Sequence, residues 1–195
     1  MTRPDPALRQ ARAEALSAQL GDRPLVLVGM MGAGKTTVGR RLAARLNRQF
    51  LDSDEEIEKA AQMSIPEIFE QRGEPEFRAG ETRVIARVLK QPGVVLATGG
   101  GAFVNAETRA LIKAEGVSVW LKAEIDILFE RVSRRSNRPL LKTANPRETL
   151  RKLIEERYPI YADADVTVLS RDVPQDAVAN DVVDALLAHF NLQVP

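Results

Sequence analysis

The glycine-rich segment 29–37 constrains the fold of this chain more than any other stretch of its sequence. It follows the apolar run 25–28 and precedes a segment with apolar residues at helical spacing. Gly29 is followed by four residues and then by Gly34-Lys35-Thr36, which is the spacing of a phosphate-binding loop. The sequence therefore predicts a strand, a phosphate-binding loop and a helix in succession.

The residue types of this loop suit a nucleoside triphosphate. Glycines allow successive backbone N–H groups to turn inward around an anion, because a Cβ would block those backbone dihedral angles. The N-terminus of the following helix adds unpaired donors and the positive end of its dipole. Lys35 can follow the β- and γ-phosphates, and the Thr36 hydroxyl can bind Mg²⁺. We therefore expect the chain to bind a nucleoside triphosphate together with Mg²⁺.

Apolar runs alternate with helical patterns along the rest of the chain. The predicted strands cover about residues 25–29, 50–52, 93–97, 117–121 and 165–169. Such alternation predicts an α/β fold with a parallel sheet. We expect the three-layer fold of P-loop NTPases, with a five-stranded parallel sheet, helices on both faces and a lid loop, as in nucleoside monophosphate kinases. Residues 25–195 are predicted to form this single domain.

The first 24 residues are predicted to form a helical extension outside that domain. Within residues 1–23, one side of the helix carries Ala7, Leu8, Ala11, Ala15, Leu16 and Leu20. Charged residues interrupt any continuous apolar core, so the segment does not fit the pattern of a secretory signal. We expect this helix to pack on the domain or to fray from it.

The composition argues against several classes of function. The net charge of +1 gives no general attraction to nucleic acid or to a membrane, and no apolar run approaches the roughly 18 residues of a membrane span. The chain has no cysteine for disulfides or zinc sites, and its single histidine, His189, excludes a multi-histidine metal site. We expect a cytoplasmic monomer that binds small molecules.

Two acids, Asp52 and Asp54, follow the second predicted strand. In a doubly wound sheet ligands gather at the carboxyl ends of the strands, so these acids are expected beside the phosphate loop. One carboxylate can hold Mg²⁺ while the other faces the hydroxyl of an acceptor. The alternative is a structural role, in which Ser53 or Asp54 caps the next helix and the acids favour its first turn.

Three glycines, Gly99, Gly100 and Gly101, end the third predicted strand. Motor ATPases usually keep an acid at this position to hold Mg²⁺ and to prepare a water molecule. Glycine instead lets a ligand lie against the main chain and accept hydrogen bonds from its N–H groups. The alternative is a plain turn.

Several arginines are candidates for binding an anion. Arg78 and Glu81 are three residues apart on one predicted helix face, either as a surface salt bridge or as an arginine that a carboxylate orients toward an anionic substrate. A second group consists of Arg131, Arg134, Arg135 and Arg138. This group is either a solvated basic face or a mobile loop that closes over ATP phosphates. Arg157 can reach the same cleft.

Six segments together resemble shikimate kinase. They are Gly-Met-Met-Gly-Ala-Gly-Lys-Thr-Thr-Val-Gly at 29–39, Asp-Ser-Asp at 52–54, Ser-Ile-Pro-Glu-Ile-Phe at 64–69, Gly-Glu-Pro-Glu-Phe-Arg-Ala-Gly-Glu at 73–81, Ala-Thr-Gly-Gly-Gly at 97–101 and Arg-Pro-Leu-Leu at 138–141. Their order is highly specific, and the resemblance covers about residues 25–170. It implies substrate-binding helices at about 54–90 and a lid at about 133–146.

The resemblance implies how the donor side binds ATP and Mg²⁺. The residues implied for the phosphates are Gly32, Ala33, Gly34, Lys35, Thr36 and Thr37. Mg²⁺ would be bound by Thr36 and Asp52, and Thr36 stands where the family more often has serine. The lid arginine that reaches the transferring phosphoryl group would be Arg138. Arg134 would stack on adenine, with Arg131 or Arg135 as the alternatives.

The resemblance also implies how the acceptor side binds shikimate. Asp54 would bind the ring hydroxyls, and Arg78 and Arg157 would bind the carboxylate. The glycine turn at 99–101 would lie against the substrate. Asp54 would orient the reacting hydroxyl, while Lys35 and Arg138 would meet the charge of the transferring group.

We therefore expect ATP-dependent phosphorylation of the 3-hydroxyl of shikimate, a step of chorismate and aromatic amino acid biosynthesis. A kinase for another small polyol or acid, such as gluconate, shares the loop and the fold but does not predict Arg78 together with the glycine turn and Arg157. A nucleotide-dependent switch or motor needs a guanine-reading Asn-Lys-x-Asp motif or an acid ending strand three, and the sequence has neither. A catalytically inactive binding module conflicts with the intact loop lysine and strand-end acids.

Overall fold

The computed structural model describes residues 5–134 and 145–194 and confirms the predicted five-stranded parallel sheet. The strands are Leu25–Val28 (β1), Gln49–Asp52 (β2), Val94–Ala97 (β3), Val117–Lys122 (β4) and Val166–Leu169 (β5). Their order across the sheet is β2-β3-β1-β4-β5, and every neighbouring pair is parallel. Gly29 and Gly93, which were predicted as strand residues, lie outside the strands.

Helices connect the strands, as parallel pairing requires. The α-helices of the described residues are Pro6–Leu20 (α1), Lys35–Leu46 (α2), Ser53–Ala61 (α3), Ile65–Leu89 (α4), Ala106–Glu115 (α5), Ile125–Ser133 (α6), Pro146–Tyr161 (α7) and Gln175–His189 (α8). A short 3₁₀-helix, Ala102–Val104, was not predicted and follows the glycine turn directly. In the part of the chain that the structure describes, no helix is both long and apolar enough to cross a membrane.

The burial of the strands explains their continuous apolar sequences. β1 and β3 are buried at every residue, as expected for parallel strands covered on both faces. The register pairs Leu27 with Ala97 and Asp52 with Ala97, so β1, β2 and β3 end at one edge of the sheet. The phosphate loop, the strand-end acids and the glycine turn therefore emerge side by side.

Helix α4 is interrupted at Gly73. Its N-terminus has a capping box, in which Ser64 and Glu67 each accept a hydrogen bond from the backbone of the other. Gly73 has φ 78° and ψ 171°, which interrupts the helix and lets Pro75 enter its second part. The second part carries Arg78 toward the glycine turn.

The predicted cap of α3 needs correction. The N-cap of α3 is Asp52, whose carboxylate accepts a hydrogen bond from the backbone N–H of Asp54, and neither Ser53 nor Asp54 has this role. The strand ends at Asp52 as predicted, but α3 begins at once with Ser53, so no residue is left between them to act as a later cap. Helix α7 has Asn145 as its N-cap and continues through Pro159 to Tyr161.

Helix α1 packs on α2 and α8 and contributes to the core. Its buried residues are Ala13, Leu16 and Leu20, whereas Ala7 and Ala11 of the predicted apolar side are exposed. Alanine is a strong helix former, so its presence on a face does not require burial. The division of the chain into an extension and a catalytic domain stays a prediction.

Polar contacts tie the C-terminal end of α1 to the end of α2. The guanidinium of Arg48 donates to the backbone carbonyls of Gly21 and Arg23, and the Ser17 hydroxyl donates to the carbonyl of Leu46 over 3.1 Å. These bonds satisfy carbonyl groups that a helix end leaves without an intrahelical partner.

Leu16→Ala tests whether α1 is part of the folded unit. Leu16 is fully buried, and truncation of such a leucine destabilises a domain by about 2–5 kcal/mol because it removes apolar contacts and leaves a cavity. We expect a loss of this size in urea unfolding. The exposed Gln19→Ala on the same helix is the control and is expected to change stability by less than about 0.5 kcal/mol. Equal stability of both variants would mean that α1 contributes nothing to the core.

Candidate active site

The phosphate loop joins β1 to α2 and depends on three glycines with positive φ angles. Gly29, Gly32 and Gly34 have φ values of 134°, 82° and 95°, which side chains disfavour. A Cβ on Gly29 would also lie 2.7 Å from the carbonyl oxygen of Leu121 in β4. Gly34 is the N-cap of α2 and provides no side-chain hydrogen bond, so the first N–H groups of the helix are left for an anion.

Lys35 brings a buried positive charge into this loop. Its Nζ atom donates to the carbonyl oxygens of Gly29 and Met30 over 2.7 and 2.9 Å. The side chain is only 8% exposed, and a buried charge is stable only when its hydrogen bonds are satisfied. The loop therefore holds its own lysine at the place where phosphates would bind.

Thr36 and Asp52 meet across the start of α2 and the end of β2. The Thr36 hydroxyl donates to Oδ2 of Asp52 over 2.9 Å, while Oδ1 of Asp52 accepts the N–H of Asp54 over 3.1 Å. The two interpretations of this acid, a structural cap and a metal ligand, use different oxygens of one carboxylate and do not exclude each other. A hydroxyl and a carboxylate beside a phosphate loop are oxygen ligands of the kind that Mg²⁺ prefers.

Two further carboxylates converge on Gly99. A Cβ at this residue would lie 2.8 Å from Oδ1 of Asp54 and 2.9 Å from Oε1 of Glu81. The N–H of Gly99 donates to the buried hydroxyl of Ser53 over 2.8 Å, which fixes the turn against α3. Burial raises the pKa of Glu81 and the negative charge of Asp54 adds to this effect, while the hydrogen bond and charge of Arg78 oppose it.

Arg78 lies on the other side of the same turn. Its Nη1 atom donates to Oε2 of Glu81 over 2.7 Å, and a Cβ on Gly101 would lie 2.7 Å from that nitrogen. Only glycine allows the guanidinium to approach the backbone this closely. Burial lowers the pKa of Arg78, but the bonds and charges of Glu81 and Glu74 outweigh this and raise it.

Arg157 and Tyr161 hold the middle of the turn from α7. Nη1 of Arg157 donates to the carbonyl oxygen of Gly100 over 3.2 Å, and the Tyr161 hydroxyl donates to the same oxygen. Gly100 in turn touches the phosphate loop, because a Cβ there would lie 3.4 Å from the backbone nitrogen of Met31. The arginines predicted to bind a carboxylate are therefore brought to a turn that contacts the predicted ATP site.

A cavity of about 410 Å³ connects these parts. Its lining includes the predicted site residues Gly32, Gly34, Lys35, Thr36, Thr37, Asp52, Asp54, Gly99 and Gly100. Arg78 and Arg157 are not among the lining residues and lie behind the turn. The lining also includes Thr98 and Gln175, which the sequence did not indicate.

The structure distinguishes the two described arginines of the predicted lid region. Arg131 donates to the Ser170 hydroxyl over 2.9 Å and to the Arg171 carbonyl over 2.7 Å, and it also reaches the carbonyl of Gly32. Arg134 is 74% exposed and pairs with Glu130. Both line the cavity, but only Arg131 is fixed in place. Arg135 and Arg138 lie outside the described residues.

Tyr161, Ser53 and Gln175 escaped the sequence interpretation for different reasons. Tyr161 carries a helix-spacing signal, since it lies four residues after Arg157 and so on the same face of α7. Ser53 was considered only as a cap, although its hydroxyl accepts from Gly99. Gln175, at the first turn of α8, lies next to Gly34 through contacts that no local pattern shows.

The two sides of the cavity have distinct chemistry. The phosphate loop, with Thr36 and Asp52, provides the unpaired N–H groups, the lysine and the oxygen atoms that would suit a nucleotide and its metal. The glycine turn is surrounded by charges of both signs, from Arg78 and Arg157 and from the carboxylates of Asp54 and Glu81, and no acid ends β3 to prepare a water. The fold and the site define a P-loop kinase for a small molecule.

The chain belongs to the shikimate kinase family, because a sequence profile of that family matches residues 31–187. The shikimate kinase of Rhodopseudomonas palustris is 57% identical over 178 residues, which are 91% of this chain and 88% of that protein. The enzyme of Bradyrhizobium diazoefficiens is 56% identical over 185 residues, which are 95% of this chain and 89% of that protein. The solved structure of shikimate kinase from Acinetobacter baumannii in complex with shikimate is 41% identical, has a TM-score of 0.84 and covers 89% of this chain and 97% of that chain.

Alkaline titration tests the burial of the Tyr161 hydroxyl. Burial raises the pKa of Tyr161 to about 12, whereas an unperturbed phenol ionises at about 10. The folded state thus holds this proton more tightly than the unfolded state. The contribution of this proton to the free energy of unfolding is complete below a pH of about 10 and is lost as the pH rises toward the pKa of the folded state.

The chain has two tyrosines, so Tyr158→Phe isolates the ionisation of Tyr161 in the near-ultraviolet absorbance of tyrosinate. We expect no tyrosinate in this variant near pH 10 while the protein stays folded, and ordinary ionisation once denaturant unfolds it. Ionisation near pH 10 in the folded variant would show that the hydroxyl is not buried against Gly100.

Proposed function

We propose that the chain transfers the γ-phosphoryl group of ATP to the 3-hydroxyl of shikimate, which gives shikimate 3-phosphate and ADP. One observation carries the proposal: Arg78, held by Glu81, packs on a glycine turn that touches the phosphate loop. The related Acinetobacter baumannii enzyme was solved in complex with shikimate. The reaction is a step of chorismate and aromatic amino acid biosynthesis.

We assign the phosphates of ATP to the loop. The assigned residues are Gly32, Ala33, Gly34, Lys35, Thr36 and Thr37. The positive φ of Gly32 and Gly34 and the uncapped start of α2 support this role, because they direct backbone N–H groups toward an anion. Lys35 would exchange its two carbonyl partners for phosphate oxygens and follow the group that is transferred.

We assign Mg²⁺ to Thr36 and Asp52, which both line the cavity. When bound, the metal would neutralise charge on the β- and γ-phosphates. Mg²⁺ often uses one or two protein ligands together with phosphate oxygens and water. The lack of any cluster of three His, Cys, Asp or Glu side chains among residues 5–134 and 145–194 is compatible with such a site.

We assign the acceptor to Asp54, Arg78, Arg157 and the turn Gly99, Gly100 and Gly101. Arg78 and Arg157 would supply the positive charge that a substrate carboxylate needs, and guanidinium groups bind carboxylates with two parallel hydrogen bonds. The turn lacks side chains, so a ring can lie against its backbone. Asp54, on the cavity wall between the turn and the phosphate loop, would bind the ring hydroxyls.

Catalysis would depend on positioning and electrostatics, because the transition state of phosphoryl transfer is loose and its charge lies on the phosphoryl oxygens. Lys35 would meet that charge from the donor side. Asp54 would orient the attacking hydroxyl and accept its proton late in the transfer. Arg138 is proposed as the lid arginine on the resemblance alone, since it lies outside the described residues.

As the arginine that stacks on adenine, the resemblance favoured Arg134 and left Arg131 and Arg135 as alternatives. The structure supports Arg131 better, because three hydrogen bonds fix its guanidinium beside the phosphate loop and leave the planar face of the group for stacking. Arg134, exposed and paired with Glu130, would have to be ordered first. A cytoplasmic location and a monomeric state stay predictions.

Coupled ADP release with purified protein tests the proposed reaction. We expect Mg²⁺-dependent ADP formation with shikimate and none above background with gluconate or nucleoside monophosphates. Lys35→Ala is the control for the site and is expected to reduce turnover about 100-fold or more, because a donor to the transition-state charge is lost. ADP formation with gluconate but not with shikimate would overturn the proposal.

Arg78→Ala tests the acceptor side. Truncation of one partner in a buried hydrogen-bonded charge pair costs about 2–5 kcal/mol, so we expect the KM for shikimate to rise at least about 30-fold. The KM for ATP is expected to stay within about twofold, because Arg78 contacts Glu81 and the turn at Gly101 and, among residues 5–134 and 145–194, has no hydrogen bond or ion pair with the phosphate loop.

The matched control for this variant is Arg83→Ala. Arg83 lies on the same helix, is 68% exposed and pairs with Glu76. We expect both KM values to remain as in the unchanged protein. An equal loss of shikimate and ATP affinity in Arg78→Ala would contradict the role assigned to Arg78.

A further inference from the structure

Ser170 directly follows β5 and is buried beside the phosphate loop, with only 1% of its surface exposed. Its hydroxyl donates to the carbonyl oxygen of Ala33 in that loop over 2.8 Å. The same hydroxyl accepts a hydrogen bond from Nη1 of Arg131 over 2.9 Å. The backbone N–H of Ser170 donates to the carbonyl of Lys122 at the end of β4, which fixes the residue to the sheet. One hydroxyl therefore joins the phosphate loop to the arginine assigned to adenine.

The chemistry of the two partners determines the direction of both hydrogen bonds of this hydroxyl. A serine hydroxyl has one hydrogen to donate and two lone pairs that accept. The carbonyl of Ala33 can only accept, and the guanidinium of Arg131 can only donate. The hydroxyl hydrogen must therefore point to the loop while a lone pair faces the arginine. An apolar side chain at residue 170 would satisfy neither partner.

The guanidinium of Arg131 depends on this hydroxyl for its orientation. Its Nη2 atom donates to the carbonyl of Arg171 over 2.7 Å, whereas Nη1 reaches the carbonyl of Gly32 only at 3.4 Å. The bond to Ser170 is therefore the shorter of the two bonds of Nη1. Short bonds at two nitrogens fix the plane of the group, and a group held by one nitrogen can turn about that contact. All three acceptors are neutral oxygens, so the positive charge of Arg131 is kept for a ligand.

Building on the proposed binding of ATP in the active-site cavity, we propose that Ser170 is a positioning residue for the adenine base. It holds the guanidinium plane of Arg131 in the orientation on which adenine stacks, and it fixes that plane relative to the loop that binds the phosphates. Arg131 lines the cavity and Ser170 does not, so Ser170 acts through the arginine without touching the nucleotide.

Isothermal titration calorimetry of the full-length protein with ADP and with pyrophosphate, each with Mg²⁺, tests this role. ADP carries the base and two phosphates, whereas pyrophosphate carries the phosphates alone. We expect Ser170→Ala to weaken ADP at least about fivefold, because a hydrogen bond from a charged donor is lost. Pyrophosphate is expected to weaken less than about twofold, since the loop keeps its glycines and Lys35.

Each other result of this titration contradicts a defined statement. Unchanged ADP affinity in Ser170→Ala would overturn the proposal. An equal loss for ADP and pyrophosphate would place the effect in the phosphate loop and would overturn a role through Arg131. ADP binding does not depend on the acceptor, so failure of shikimate as substrate would leave this test intact. Absence of ADP binding by the unchanged protein would overturn the proposed function and the role of Ser170 together.

Ser118→Ala is the matched control for the loss of a buried serine hydroxyl. Ser118 lies near the start of β4, is 3% exposed and donates to Oδ2 of Asp165 over 2.6 Å. It does not line the active-site cavity. We expect a loss of stability in urea unfolding but an ADP affinity within about twofold of that of the unchanged protein. Weakening of ADP equal to that in Ser170→Ala would make the effect one of stability and overturn the proposal.

The variant Arg131→Ala removes the group through which Ser170 is proposed to act. Mutations in one hydrogen-bond network are not additive, so we expect Ser170→Ala to weaken ADP by less than about a further twofold in this background. A full further loss would show that Ser170 acts independently of Arg131 and would overturn the proposal.

A second pair of variants keeps the test valid if Ser170→Ala is too unstable to measure. Ser170→Thr and Ser170→Val have nearly the same shape, and only the first retains the hydroxyl. The added methyl group affects both alike, so we expect Ser170→Thr to bind ADP at least about fivefold more tightly than Ser170→Val. Equal ADP affinity of these two variants would contradict a role for the hydroxyl.

Discussion

The acceptor side proposed for this enzyme depends on the close approach of charged side chains to the main chain of the glycine turn. The carboxylates of Asp54 and Glu81 and the guanidinium of Arg78 reach the turn at distances that a single Cβ would forbid. Charged groups of opposite sign can therefore be packed around one short backbone segment and fix each other's orientation. Gly99 and Gly101 thus leave room for these side-chain ends, which would have to shift if either residue carried a Cβ.

The carboxylate of Asp52 has a structural role in capping α3 and is also the proposed ligand of Mg²⁺. One of its oxygens caps α3, and the other accepts the hydroxyl of Thr36 at the start of α2. The cap fixes the carboxylate, so its second oxygen is held where the metal assigned to Thr36 would bind. Substitution of this acid would therefore disturb a helix start as well as a ligand, and the two effects would be difficult to separate by mutation alone.

Local sequence patterns were sufficient to predict the features that depend on residues close together in the chain. The phosphate loop depends on glycine spacing between a strand and a helix, and Arg78 with Glu81 depends on helical spacing. The sequence could not show that Arg131 is fixed by Ser170 and Arg171, or that Tyr161 bonds to Gly100, because these contacts join segments that are distant in the chain. The predicted cap of α3 was also wrong, because Ser53, Asp54 and Asp52 are all residues that can cap a helix and the local sequence does not show which of them does.

The placement of α1 has a consequence for how such a chain can change over generations. The surface beneath α1 is apolar, and a large apolar patch is disfavoured in water unless another element covers it. Leu16 and Leu20 belong to the same core as residues of α2 and α8. Loss of α1 would therefore expose apolar surface of α2 and α8 to water, and α1 without that surface would expose its own leucines.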